Sequence, residues 1–94
     1  MPYVYIMSNK PNGTLYLGST TNLVSRISQH KALTGKHFTA KYELIHLVWY
    51  EKYAELKHAQ EQEWRMKKWK RRWKTDLINA LNPDWRDLSE LLNL

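Results

Sequence analysis

Tyr5, Tyr16, Arg26, His30 and Glu63 are of types that together could cut a phosphodiester. The reaction demands an activated water, relief of charge on the phosphate and support for the departing oxyanion. Phenols and imidazole exchange protons, a guanidinium matches phosphate geometry, and a carboxylate can hold a divalent cation.

The elements expected around these residues could bring them together. Tyr5 and Tyr16 lie in Val4-Tyr5-Ile6 and Tyr16-Leu17-Gly18, on either side of the turn-rich Ser8-Asn9-Lys10-Pro11-Asn12-Gly13. Segments 3–7 and 14–18 therefore read as strands of a hairpin. A four-residue loop at 9–12 would set Tyr5 directly opposite Tyr16. Alternation then puts Val4, Ile6, Leu15 and Leu17 on a core face, and Tyr3, Tyr5, Tyr16 and Gly18 on a face that could line a cleft. Aromatic residues on strands commonly serve packing, which is the competing reading of both tyrosines.

Thr20-Thr21-Asn22 offers N-caps for a helix running to about residue 33, with Gly35 suited to end it. Leu23 and Ile27 would be its buried side, with Arg26 and His30 one turn apart. Residues 36–42 read as a loop, and 43–51 as a third strand, apolar on both faces. A second helix is expected over 53–66. A third spans 69–81, with Trp69, Trp73, Leu77 and Leu81 as one stripe. Asn82-Pro83 stops it, and the tail 84–94 would fold back through Trp85, Leu88, Leu91 and Leu92. The expected fold is α/β (α+β): a three-stranded, mainly antiparallel sheet flanked by about three helices. It forms a single domain over 1–94, with a short C-terminal tail from about residue 83.

Glu63 breaks the pattern of the second helix. It shares the stripe of Tyr53, Leu56, Ala59 and Met66, whereas Glu61 points to solvent. An inward carboxylate is costly without a cation, a metal or good donors. Glu63 could pair with a buried Arg26, lie at the stripe's edge, or hold a divalent cation on the floor of the tyrosine-lined cleft.

Composition narrows the classes. The chain has no cysteine, so packing alone, with five tryptophans and six tyrosines, must hold it together. His30, His37, His46 and His58 lack close ligand spacing, which argues against zinc. No apolar run reaches membrane-spanning length and no signal-peptide pattern is visible, so a cytoplasmic location away from membranes is the expectation. The net charge is +6, and seven of the ten residues at 65–74 are cationic. Lys67, Lys68, Lys70, Arg71, Arg72 and Lys74 are the expected contacts to a nucleic-acid backbone. A solvated helix face or an anionic lipid surface is the alternative. Trp69 and Trp73 read as core, with base stacking the lesser role.

Together these residues resemble the GIY-YIG nuclease family, which includes intron-homing endonucleases and the nuclease domain of the bacterial excinuclease C subunit. Tyr3-Val4-Tyr5 stands where the family has Gly-Ile-Tyr, and Tyr16-Leu17-Gly18 where it has Tyr-Ile-Gly. Ten residues separate the two tyrosines, a spacing typical of the family. Arg26 and His30, in Asn22-Leu-Val-Ser-Arg-Ile-Ser-Gln-His30, fit its following helix, and Glu63 fits its glutamate. The run from Lys67-Lys68-Trp69 to Asn82-Pro83-Asp84-Trp85-Arg86-Asp87-Leu88 looks like small stand-alone bacterial members. The family's first glycine is Tyr3 here, and its late asparagine could be Asn79 or Asn82.

The resemblance implies a metal-dependent endonuclease that hydrolyses DNA, in repair or recombination. Tyr5 would be the general base, with Tyr16 positioning the water, Arg26 on non-bridging phosphate oxygens and His30 bonded to the phosphate or the base. Glu63 would hold one Mg²⁺ or Mn²⁺. A single inward carboxylate fits one ion better than two. The competing function is a non-catalytic module on the same scaffold that binds DNA, or structured RNA, without cutting it.

Overall fold

The computed structural model describes residues 1–32 and 46–92. The expected end of the first helix at residue 33, Gly35 as its stop, the loop 36–42 with His37, the start of the third strand at 43–45 and the tail beyond 92 lie outside the described residues.

Three strands, β1 (Tyr3–Ser8), β2 (Leu15–Thr20) and β3 (His46–Lys52), form an antiparallel sheet in the order β2-β1-β3. β1 is central and covered on both faces, with Val4, Tyr5, Ile6 and Met7 all at 0% exposure. Among the described residues the helices are α1 (Leu23–Ala32), α2 (Leu56–Lys67) and α3 (Arg71–Leu81), followed by a 3₁₀ turn at Leu88–Leu92. The α/β class, the antiparallel sheet and the helical complement agree with the sequence reading.

The hairpin register differs from the expected one by two residues. Tyr5 pairs with Gly18, and Tyr16 with Met7. The turn is longer because the Thr14 N–H is drawn to Asn9 Oδ1 at 3.0 Å, out of the ladder. The Gly13 N–H bonds the Lys10 carbonyl at 2.9 Å, and Asn12 takes φ 58°. A two-residue slip preserves side-chain parity, so the faces remain as read. Val4, Ile6 and Leu17 pack beneath α2 and α3 with Ala59, Met66 and Ile78. Tyr5 and Met7 pack with Leu23 and Ile27 of α1.

β3 is bulged: Ile6 pairs with Trp49 and Met7 with Leu47, leaving Val48 as the extra residue. Val48 and Trp49 consequently both join the aliphatic core, while Leu47 joins the tyrosine side. Asn82, just beyond α3, donates from Nδ2 to the Val48 carbonyl at 3.1 Å and to the Arg86 carbonyl at 2.8 Å. Its Oδ1 accepts the Arg86 N–H at 3.1 Å.

Three apolar expectations are corrected, the first being Leu56, which opens α2 at 38% exposure rather than lying inward. Trp73 and Leu81 are 53% and 54% exposed, and Ile78 is the buried residue of α3. A row of four-residue steps creeps round a helix by about 40° per step, so the 73–81 row cannot stay inward. Trp69 and Leu77 do pack on the core, although Trp69 precedes α3. The tail folds back through Trp85, Leu88 and Leu92 as read, but Leu91 is 71% exposed. Trp85 occupies the left-handed region at φ 53°, held by its indole N–H on Asn79 Oδ1 at 2.7 Å. Among the described residues no helix is long and apolar enough to cross a membrane.

Candidate active site

Asn22 starts α1 by accepting the Ser25 N–H on its Oδ1 at 3.0 Å. The helix then lays Leu23, Ile27 and His30 on the tyrosine face of the sheet. This brings His30 Nε2 to 3.0 Å from the Tyr5 hydroxyl, in a buried hydrogen bond. Tyr16 closes the cluster, its ring centroid 5.1 Å from that of His30 and 6.3 Å from that of Tyr5.

Burial first, and the Arg26 charge second, push His30 down to about 4. The imidazole is therefore neutral at pH 7, with one bare and one protonated nitrogen. Burial also raises Tyr5 well above the ordinary phenol range; the charges of Tyr16 and Glu63 add to this, while Arg26 opposes it through its charge and as a hydrogen-bond donor. At neutral pH both partners are thus uncharged, and in the tautomer protonated on Nδ1 the imidazole accepts the Tyr5 O–H at Nε2. Arg26 thus eases Tyr5 ionisation, but desolvation outweighs it.

Gly18 makes room for this arrangement. A Cβ there would lie 2.7 Å from the Tyr5 hydroxyl oxygen and 2.9 Å from Cζ. Without a side chain, Gly18 lets the phenol head lie across edge strand β2. Its neighbour Ser19 donates its hydroxyl to Glu63 Oε1 on α2. The other carboxylate oxygen of Glu63 is 2.6 Å from Lys67 Nζ. Gly18 thus meets Tyr5 on one face of the edge strand, and Ser19 meets Glu63 on the other.

Of the readings offered for Glu63, pairing with Arg26 is corrected: Lys67, one turn along the same helix, is the partner. The i,i+4 spacing of Glu63 and Lys67 was visible in the sequence. Neither Ser19 as a donor nor Gly18 as a close approach was identified there, because both depend on the strand register. Arg26 itself is exposed on α1.

The donor set suits a hard divalent cation of modest demand. Among the described residues no three His, Cys, Asp or Glu side chains cluster as metal ligands. Glu63 offers one carboxylate, its side chain 20% exposed, on the α2 side of the sheet, from where its charge reaches Tyr5. Magnesium-like ions are commonly held by one or two carboxylates, with water and substrate phosphates completing the shell. The residues present therefore fit such an ion. A cavity of about 300 Å³ lies elsewhere, between Asn82, Pro83, Asp84 and the tail, and none of the five residues lines it.

The basic run is not one helix. It spans the end of α2, a connector at 68–70 and the start of α3. Acids just outside it offset part of its charge: Lys67 meets Glu63 at 2.6 Å, Arg72 Nε lies 3.9 Å from Asp76, and Arg65 lies 4.0 Å from Glu61. Lys68 sits 3.5 Å over the Trp64 ring. Arg71 donates to the carbonyl of Asn12 at 3.0 Å and to that of Gly13, pinning the β1–β2 turn. Lys70 caps α3 and is exposed, and Lys74 is partly buried.

Residues 1–76, which carry all five side chains, match the family described as the GIY-YIG catalytic domain. The chain is 36% identical over 76 residues to a UPF0213 protein of Staphylococcus haemolyticus, covering 81% of this chain and 92% of that one. It is 33% identical over 94 residues to a UPF0213 protein of Clostridium perfringens, covering both chains fully. The solution structure of a UPF0213 protein from Bacillus halodurans superposes with a TM-score of 0.56 at 25% identity, over 97% of each chain. The chain belongs to the GIY-YIG family of nuclease domains.

Proposed function

We propose that the chain is a divalent-metal-dependent endonuclease that hydrolyses DNA phosphodiester bonds, with a role in repair or recombination. The buried Tyr5–His30 hydrogen bond carries the reading: in its Nδ1–H tautomer the neutral imidazole offers Nε2 to a phenol that cannot ionise unaided. As Tyr5 removes a proton from the attacking water, its own proton passes to His30 Nε2. Tyr16, half-exposed over the pair, orients that water. Arg26 reaches from the exposed side of α1 to the non-bridging phosphate oxygens. Glu63 would hold one Mg²⁺ or Mn²⁺, which supplies charge relief at the phosphate and a more acidic bound water. Lys67, Lys68, Lys70, Arg71, Arg72 and Lys74 extend the phosphate track beyond the site.

The complete burial of Tyr5 favours a second reading, a module that binds nucleic acid, DNA or RNA, without cutting it. Labelled nicked and branched DNA incubated with Mg²⁺, Mn²⁺ or EDTA, with Glu63→Ala in parallel, separates the two. Metal-dependent cutting lost in Glu63→Ala supports the nuclease. Salt-sensitive binding without cutting, equal in both proteins, supports the module.

A further inference from the structure

Two tryptophans of the α2–α3 corner lie on the surface. Trp64 and Trp73 are 63% and 53% exposed, whereas Trp49 and Trp85 are 4% and 6% exposed. Exposure on this scale forfeits much of the hydrophobic gain an indole gives when buried. Yet both rings are supported. The Lys68 ammonium lies 3.5 Å over the Trp64 ring. Trp73 stands edge-on to Trp69, centroids 6.1 Å apart at 74°, and Trp69 packs on the aliphatic core.

Position and charge point to what these rings meet. Glu63–Lys67 and Trp64–Lys68 are successive i,i+4 pairs, so Trp64 lies about 100° round α2 from the glutamate of the candidate site. Trp73 is flanked by Arg72 and Lys74, and residues 65–74 carry seven cations. Arg71 ties the start of α3 to the β1–β2 turn, which fixes this corner against the tyrosine strands.

We infer that Trp64 and Trp73 stack on unpaired bases of a DNA strand whose phosphates lie along the surrounding lysines and arginines. Resting on the reading of the chain as acting on DNA, this assigns a preference for substrates with a single-stranded arm, flap or gap beside the scissile phosphate. Duplex DNA keeps its bases stacked on each other and presents mainly backbone here, whereas an unpaired strand presents π-faces and phosphates together. An apolar protein partner would have to desolvate the same cations without compensating charge. An anionic bilayer would match the charge, but two separately propped rings are not a continuous apolar stripe.

The test is fluorescence anisotropy of labelled oligo(dT) and of a duplex of equal length, in EDTA over a salt series. Wild type is compared with Trp64→Ala, Trp73→Ala, Trp73→Phe and Lys74→Ala, each checked for an unchanged melting midpoint. Each alanine variant at a tryptophan is expected to bind oligo(dT) about tenfold more weakly with an unchanged salt slope, duplex binding being nearly unaffected. Trp73→Phe restores most of the loss, and Lys74→Ala weakens both ligands and lowers the slope. Wild-type affinity in both alanine variants, or equal loss on oligo(dT) and duplex, overturns the inference. So does loss of binding to phosphatidylserine vesicles with oligo(dT) affinity intact. Because binding is read without metal, a protein that never cuts but shows the tryptophan-dependent loss retains the platform and retires the nuclease. Cutting with tryptophan-independent binding does the reverse.

Discussion

Tyr5 and Gly18 face each other across β1 and β2, and the phenol head occupies the space a side chain at position 18 would need. Tyr5 is fully buried against Leu23, Ile27 and His30, so the ring has little freedom to withdraw. Gly18→Ala is therefore expected to destabilise the fold by about 1–3 kcal/mol, as overpacking does. It should also displace the hydroxyl from His30 and slow cleavage beyond what the stability loss explains. Urea unfolding and cleavage rates well below the unfolding transition, measured together, check this. An alanine variant of unchanged stability and rate would show that the ring moves aside freely.

His30 gives a pH signature with a definite sign. Its pKa falls from 6.5 to about 4 on folding, so between these values the unfolded chain binds more protons than the folded one. Its effect on stability is smallest above 6.5, and stability declines as pH falls from 6.5 towards 4, by about 3 kcal/mol at most. His30→Gln should flatten that decline. Denaturant unfolding at pH 7.5 and pH 4.5 in both proteins measures it; parallel declines would place the titration on other groups.

Asn82 and Asn79 should differ when removed. Asn82 is 4% exposed and satisfies the Val48 carbonyl of the bulge and both backbone groups of Arg86. Asn82→Ala is expected to cost about 2–4 kcal/mol, because the buried Val48 carbonyl and two part-buried groups of Arg86 lose their partner at once. Asn79 accepts only the Trp85 indole N–H and is exposed, so Asn79→Ala should cost about 1 kcal/mol. Thermal unfolding of the pair settles the ranking, and equal losses would mean the bulge carbonyl finds another donor.

Lys67 occupies one oxygen of Glu63 at 2.6 Å and so competes with any cation there. Lys67→Met is expected to lower the Mg²⁺ concentration for half-maximal cleavage about two- to fivefold, the equivalent of one partly exposed ion pair. A magnesium titration reads this directly. An unchanged requirement would show that the ammonium stays clear of the ion.

The sequence carried the local patterns well and the long-range partners poorly. Alternation assigned Val4, Ile6 and Leu17 to one face and Tyr5 and Tyr16 to the other, and that survived a two-residue register error because only parity matters. Arg26 and His30 were legible as a helical pair, and Glu63 as an acid on a partly apolar stripe. The Glu63–Ser19 contact was not, since it joins elements 44 residues apart. Trp73 lies outside the core that its stripe predicts, because a row of i+4 positions drifts off the buried face. The bulge at Val48 left no signal in strand alternation, because both neighbours are apolar.

Tyr5→Phe tests the central claim most directly, since it removes a single oxygen from a packed ring. Single-turnover cleavage of branched DNA with Mg²⁺ should fall by at least about a hundredfold, with DNA binding in EDTA and folding retained. His30→Gln should give a similar loss, and the double variant little more, because the two act as one proton-transfer unit. Cleavage by Tyr5→Phe at the wild-type rate would contradict the account and leave the Tyr5–His30 bond as a piece of core packing.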